Sequence, residues 1–295
     1  MFVKENTVSA IKEYFFNSLK DLYPKLEVES FFHILCDYFL GYSRVQVAMS
    51  LDKTMSESEL LKFHYAIKDL KKFKPVQFIT GTQFFYDVEF KVTEHTLIPR
   101  PETEELISSI LENVLKTRSF HTNANEKQLK ILDIGTGSGC IPISLKKSLP
   151  FAEITAIDVS NEALTIAKKN AVLNKVDINL TQQDILNTTS LNQLYDVIVS
   201  NPPYVRESEK KEIKNNVLNN EPHMALFVED NNPLVFYNKI AELAKNHLTK
   251  NGTLFFEINQ YLGKETVELI KLKGFNKIQL KKDIFGRDRI IIASL

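Results

Sequence analysis

The run Leu129-Lys130-Ile131-Leu132-Asp133-Ile134 is largely apolar and leads at once into Gly135-Thr136-Gly137-Ser138-Gly139. The apolar run reads as a buried strand. The glycines make a turn whose backbone a ligand can approach, and residues 140–149 read as a helix whose N-terminus offers free N–H groups. Pro142 is tolerated in the first turn of that helix. Strand, glycine turn and helix in this order open an α/β unit. The turn is not the dinucleotide fingerprint G-x-G-x-x-G, because Cys140 stands where its last glycine belongs.

Outward from this unit the alternation continues. Strands are predicted over 153–159, around Ile178 and Leu180, over 195–200 and over 253–258. Ser160 caps a helix through Ala163, Leu164, Ala167 and Ala171, and 233–248 and 262–272 also read as helices. Residues 275–280 and 287–293 are strands joined by a turn at 283–286, so they should be antiparallel. Ligands in open α/β sheets bind beyond the carboxyl ends of the strands. Four such ends carry candidate site residues: the turn Gly135 to Gly139, Asp158, Asp184, and Asn201-Pro202-Pro203-Tyr204. Acids at successive strand ends suit ribose hydroxyls, an exocyclic amine, or a cation; a sulfonium nucleoside offers all three. In the fourth, Pro202 and Pro203 lack N–H groups and fix φ, and Asn201 is biased to an extended form. This stiff turn offers two acceptors, the Asn201 side-chain oxygen and the Pro202 carbonyl, beside an aromatic ring. Such a set suits a planar –NH₂.

Toward the N-terminus, Val8, Ile11, Phe15, Leu19 and Leu22 form one helical stripe, and Phe31, Phe32, Leu35 and Phe39 another that Gly41 should stop. Ser56-Glu57-Ser58-Glu59 is a capping box opening a helix through Leu60, Leu61, Ile67 and Leu70. Pro75 is expected to end the helical pattern. From Asp87 the period becomes two, with Val88, Phe90 and Val92 on one side and Phe84-Phe85-Tyr86 as a hairpin partner. Pro101 suits a first helical position, the glutamates at 102, 104 and 105 suit a helix N-terminus, and Leu106, Ile107, Ile110 and Val114 make the buried face. Residues 117–128 are polar and read as a surface loop. The expected organisation is a helical domain at 1–75, a β-hairpin connector at 76–98 and an α/β domain at 99–295.

Lys+Arg and Asp+Glu are both 37, so the formal net charge is zero. A polyanionic partner usually requires a basic chain, so no stable nucleic-acid binding is expected. Two cysteines, Cys36 and Cys140, fit neither a disulfide framework nor a metal site, and read as buried thiols. No signal peptide, membrane span or metal cluster is evident. A cytoplasmic monomer without metal is expected.

Asp133-Ile134-Gly135-Thr136-Gly137-Ser138-Gly139 and Asn201-Pro202-Pro203-Tyr204 resemble class I S-adenosylmethionine-dependent methyltransferases acting on planar amino nitrogens. Ile98-Pro99-Arg100-Pro101-Glu102-Thr103-Glu104, Glu221-Pro222 with Ala225-Leu226, and Phe285-Gly286-Arg287-Asp288-Arg289 narrow the resemblance to the release-factor glutamine methyltransferases, the HemK/PrmC family. It implies a seven-stranded Rossmann-like methyltransferase sheet with an antiparallel last strand and an N-terminal helical domain that recognises the substrate protein. It implies S-adenosylmethionine as cofactor, S-adenosylhomocysteine as product, and the glutamine of the Gly-Gly-Gln motif of class 1 peptide-chain release factors as substrate. Gly135, Thr136, Gly137, Ser138, Gly139, Asp158, Asp184, Ile185 and Asn201 would border the cofactor; Ile185 stands where the family usually has an aromatic. Asn201, Pro202, Pro203 and Tyr204 would bind the glutamine, with Asn201 and Pro202 accepting its two N–H groups and Tyr204 packing on the amide plane. The alternatives are glutamine methylation of a ribosomal protein and adenine methylation of DNA or RNA.

Overall fold

The computed structural model describes residues 5–117 and 128–295; most of the loop expected at 117–128 lies outside them. The chain forms two compact units, Met1–Gly81 with Lys214–Asn220, and Thr82–Ile213 with Glu221–Leu295.

The first unit contains α1 (Val8–Leu19), α2 (Lys25–Leu40), α3 (Arg44–Met49), α4 (Glu57–Leu70) and α5 (Val76–Thr80). Their apolar stripes meet in one core that includes Val8, Ile11, Phe15, Leu19, Phe32, Leu35, Phe63 and Ile67. Ser56 and Glu59 close the capping box of α4, and Gly41 ends α2 at φ 66°. Three expectations need correction. Leu22 lies beyond the end of α1, and Leu61 points outward on α4; both are exposed. Pro75 does not end the helical pattern, because it is the N-cap of one more short helix that Gly81 stops at φ 72°. Proline is favoured where a helix begins, since the first turn has no use for its missing N–H.

The second unit opens with a hairpin, β1 (Thr82–Phe85) and β2 (Val88–Lys91), whose turn residues Tyr86 and Asp87 both have positive φ. Asp87 therefore belongs to the turn and not to the strand. There follow α6 (Pro101–Thr117), β3 (Lys130–Ile134), α7 (Cys140–Ser148), β4 (Glu153–Asp158), α8 (Asn161–Leu173), β5 (Asn179–Gln182), β6 (Tyr195–Ser200) and β7 (Val205–Arg206). A short α9 (Asn215–Leu218) lies in the segment assigned to the first unit. The chain continues with β8 (Phe227–Val228), α10 (Val235–His247), β9 (Leu248–Glu257), α11 (Gly263–Leu272), β10 (Lys277–Lys282) and β11 (Asp288–Ser294).

Seven strands form one sheet in the order β10-β11-β9-β6-β3-β4-β5. All pairings are parallel except those of β11, which runs antiparallel to both β10 and β9. Alternate residues of each central strand serve opposite faces. Ile131, Val197, Val199 and Phe255 pack with Leu106 and Ile110 of α6 and Ile143 of α7. Leu132, Ile198, Leu254 and Phe256 pack with Tyr237 and Ile240 of α10 and Ile270 of α11. Strand order reverses at β3, whose neighbours are β4 and β6. A crevice opens at such a switch point.

Candidate active site

The glycine turn borders that crevice. Gly135, Gly137 and Gly139 have φ of 77°, 54° and 80°, a region L side chains rarely adopt. The three differ in what surrounds them. A Cβ on Gly135 or Gly137 would meet nothing within 4 Å, whereas one on Gly139 would lie 3.0 Å from Ile143 Cδ1 and 3.1 Å from Ala167 Cβ. The first two keep space open, and the third lets α7 approach α8. The N–H groups of Gly135 and Thr136 both donate to the Ile157 carbonyl, tying the turn to β4.

Asp158, at the end of β4, accepts from Gly137 N–H at 2.8 Å on one oxygen and from Ser160 N–H at 3.0 Å on the other. Its carboxylate is thus fixed beside the turn, with lone pairs to spare for hydroxyls. Asp184 lies two residues past β5 and accepts from Leu186 N–H at 2.9 Å and Asn187 Nδ2 at 2.7 Å. Gly135, Thr136, Gly137, Ser138, Asp158, Asp184, Ile185, Asn201, Pro202 and Pro203 all line one cavity of about 430 Å³. Gly139 and Tyr204 do not line it. Cys140, read as a buried thiol, is half-buried and borders the cavity.

Two buried polar groups lie by the turn. Among the described residues the Asp133 carboxyl has the Thr136 hydroxyl as its side-chain neighbour, but neither group makes a hydrogen bond of good geometry. Burial pushes the Asp133 carboxyl up to about 7. Buried polar groups so weakly paired are costly, and Thr136, which lines the cavity, is placed to gain from a polar ligand. Open space at Gly135 and Gly137, two acids at adjacent strand ends and apolar Ile134, Ile157 and Ile185 around them fit a nucleoside carrying a cation.

The Asn201 tetrapeptide is held by residues to which the sequence alone assigned no role at the site. Asn201 Nδ2 donates to Thr103 Oγ1 at 3.3 Å, and Thr103 Oγ1 donates to Glu257 Oε2 at 2.7 Å. The Tyr204 hydroxyl donates to Glu257 Oε1 at 3.0 Å, and the Tyr204 carbonyl accepts from Asn259 Nδ2 at 2.9 Å. The Tyr204 ring packs on the α10 side of the sheet. Burial pushes both the Tyr204 hydroxyl and the Glu257 carboxyl upward. A signal for Glu257 existed: a lone carboxylate ending the apolar run Leu254-Phe255-Phe256 must find partners when buried. Glu221 is a second buried acid. It accepts from Ile98 N–H at 3.1 Å and from Arg100 Nη2 at 2.6 Å, which ties residues 98–100 to the 221–226 loop at the rim of the cavity.

Residues 108–224 match the family model described as methyltransferase small domain, and residues 16–81 match the one described as PrmC N-terminal domain. A release factor glutamine methyltransferase of Flavobacterium psychrophilum is 54% identical over 95% of this chain and 98% of its own length. One of Bacteroides thetaiotaomicron is 40% identical over 97% of this chain and 100% of its own. The hMettl16 catalytic domain, solved in complex with a 3'UTR hairpin, shares the fold with a TM-score of 0.55 at 16% identity, covering 81% of this chain and 82% of that one. On the strength of the relatives matched over nearly their whole length, the chain belongs to the release factor glutamine methyltransferase family.

Proposed function

We propose that the protein transfers a methyl group from S-adenosylmethionine to the side-chain nitrogen of the Gly-Gly-Gln glutamine of class 1 peptide-chain release factors. The observation that carries this reading is a single cavity bordered both by the glycine turn with Asp158 and by the acceptor pair at Asn201 and Pro202. When bound, the cofactor supplies an electrophilic methyl group on a good leaving group. The turn residues 135–138, Asp158, Asp184 and Ile185 would hold it, with Gly139 shaping the turn from behind.

The protein's own task is then to present a poor nucleophile. An amide nitrogen has a delocalised lone pair, so it must be oriented and allowed to pyramidalise. Asn201 Oδ1, which has no hydrogen-bond partner among the described residues, and the Pro202 carbonyl each accept one N–H of the glutamine. Together they fix the nitrogen and stabilise the positive charge that grows on it. Tyr204, with its hydroxyl on Glu257 and its carbonyl on Asn259, stiffens the turn that carries both acceptors.

Mass spectrometry of release-factor peptides after incubation with enzyme and isotope-labelled S-adenosylmethionine tests the reading. Label is expected on the Gly-Gly-Gln glutamine alone. Label on a ribosomal protein or on adenine, with none on the release factor, rejects it.

A further inference from the structure

We infer that Thr103, oriented by Glu257, is a positioning residue that decides which end of the Asn201 carboxamide faces the substrate. The inference rests on the methyl-transfer reading of the same site and adds two residues to it. A hydroxyl has one hydrogen to give. Thr103 gives its hydrogen to Glu257 Oε2, at 2.7 Å. The other Glu257 oxygen receives the Tyr204 hydroxyl at 3.0 Å; these two hydroxyls and the charge of Arg289 oppose the effect of burial, so both oxygens act as acceptors, the role of an ionised carboxylate. Toward Asn201, 3.3 Å away, Thr103 is left with lone pairs only. The carboxamide atom facing it must therefore be Nδ2. Oδ1, on the other branch of the same planar group, is left as the acceptor for the ligand.

The opposite orientation would set two acceptors against each other at Thr103. It would also meet the substrate –NH₂ with a second N–H donor, and the grip would be lost. Thr103 is well suited to this role. It sits in the first turn of α6, is 2% exposed, and its backbone N–H is anchored on the Arg100 carbonyl at 3.0 Å. A β-branched side chain there has few rotamers to choose from.

The test compares wild type, Thr103→Val and Thr103→Ser in the full-length enzyme. Four quantities are measured: cofactor affinity by calorimetry, kcat and KM on intact release factor, and the ¹⁵N–¹H side-chain amide resonance of Asn201. Valine keeps the shape and removes the acceptor, so kcat should fall roughly 10–100-fold while cofactor affinity holds and the Asn201 amide resonance moves. Serine restores the hydroxyl, and kcat should return to within about threefold of wild type. Wild-type kcat and an unmoved resonance in Thr103→Val overturn the proposal. So does a Thr103→Ser enzyme as slow as Thr103→Val, which would assign the effect to packing. If wild type labels no release factor yet the Asn201 resonance moves in valine and not in serine, the substrate reading falls and the orienting role stands.

Discussion

At the scale of single residues, the proposed chemistry divides between groups that would hold the cofactor and groups that would hold the amide. Asn201→Ala would remove one of the two proposed acceptors. Its kcat should drop roughly 10²–10³-fold, with cofactor affinity nearly unchanged. A variant with wild-type turnover would remove Asn201 from the chemistry. Asp158→Ala should do the reverse, weakening cofactor binding roughly 10–100-fold by calorimetry. Part of that loss comes from Gly137, whose N–H is left without its carboxylate. Unchanged affinity would deny Asp158 its part in the cofactor site. Asp133 gives a prediction with a sign. Burial raises its folded pKa to about 7, against about 3.9 in an unfolded chain. Between these values the folded protein keeps a proton that the unfolded chain has lost, so stability falls as pH rises and the cost is complete above about 7. Asp133→Asn has no such proton. In the cofactor-free enzyme, the urea midpoint of wild type should fall more between pH 5 and pH 8 than that of Asp133→Asn. Parallel midpoints for the two proteins contradict the shift.

At the scale of elements, the site is an outcome of packing. The glycine turn exists because α7 and α8 come close enough to exclude any side chain at residue 139. Gly139→Ala would combine φ 80° with Cβ contacts of 3.0 and 3.1 Å. A cost of about 1–3 kcal/mol is expected, seen as a Tm lower by several degrees. A Tm equal to wild type would show that the two helices can spread freely. The ends of β3, β4 and β6 were legible in the sequence because each joined a clear apolar run to a distinctive terminus, whereas β5 is short and polar. The glycines, Asp158 and Asn201 sit where those patterns ended, and Asp184 lies two residues past β5. Thr103 and Glu257 were not legible as partners. They are 154 residues apart, and only the pairing of β9 beside β6 brings Glu257 under Asn201. Leu22, Leu61 and Pro75 failed for a local reason. A stripe predicts which face is apolar, but not where a helix stops or how much of its flank a neighbour covers.

At the scale of the whole molecule, the sequence resolved an α/β sheet preceded by helices, and the seven-stranded order with an antiparallel β11 agrees with the fold that the family resemblance implied. Tertiary assignment of Lys214–Asn220 to the helical unit could not be read from periodicity. Asn220 joins it through a hydrogen bond of 3.0 Å to the Phe73 carbonyl, a contact across 147 residues. No helix among the described residues is long and apolar enough to cross a membrane. With a formal net charge of zero, little dependence on phosphate contacts is expected. Proteins that depend on phosphate contacts lose roughly 10³–10⁵ in affinity between 50 and 200 mM salt. Over that range, KM for release factor should change by less than about tenfold, and duplex DNA should not compete. Strong inhibition by DNA at moderate salt would revive an adenine substrate.

The central claim is that both hydrogens of a flat carboxamide are gripped by oxygens of residues 201 and 202. A crystal structure with S-adenosylhomocysteine and a Gly-Gly-Gln peptide tests it directly. The glutamine nitrogen should lie about 2.7–3.2 Å from both Asn201 Oδ1 and the Pro202 carbonyl oxygen, with the nucleoside beside residues 135–139. A glutamine nitrogen bound away from those two oxygens would contradict the account.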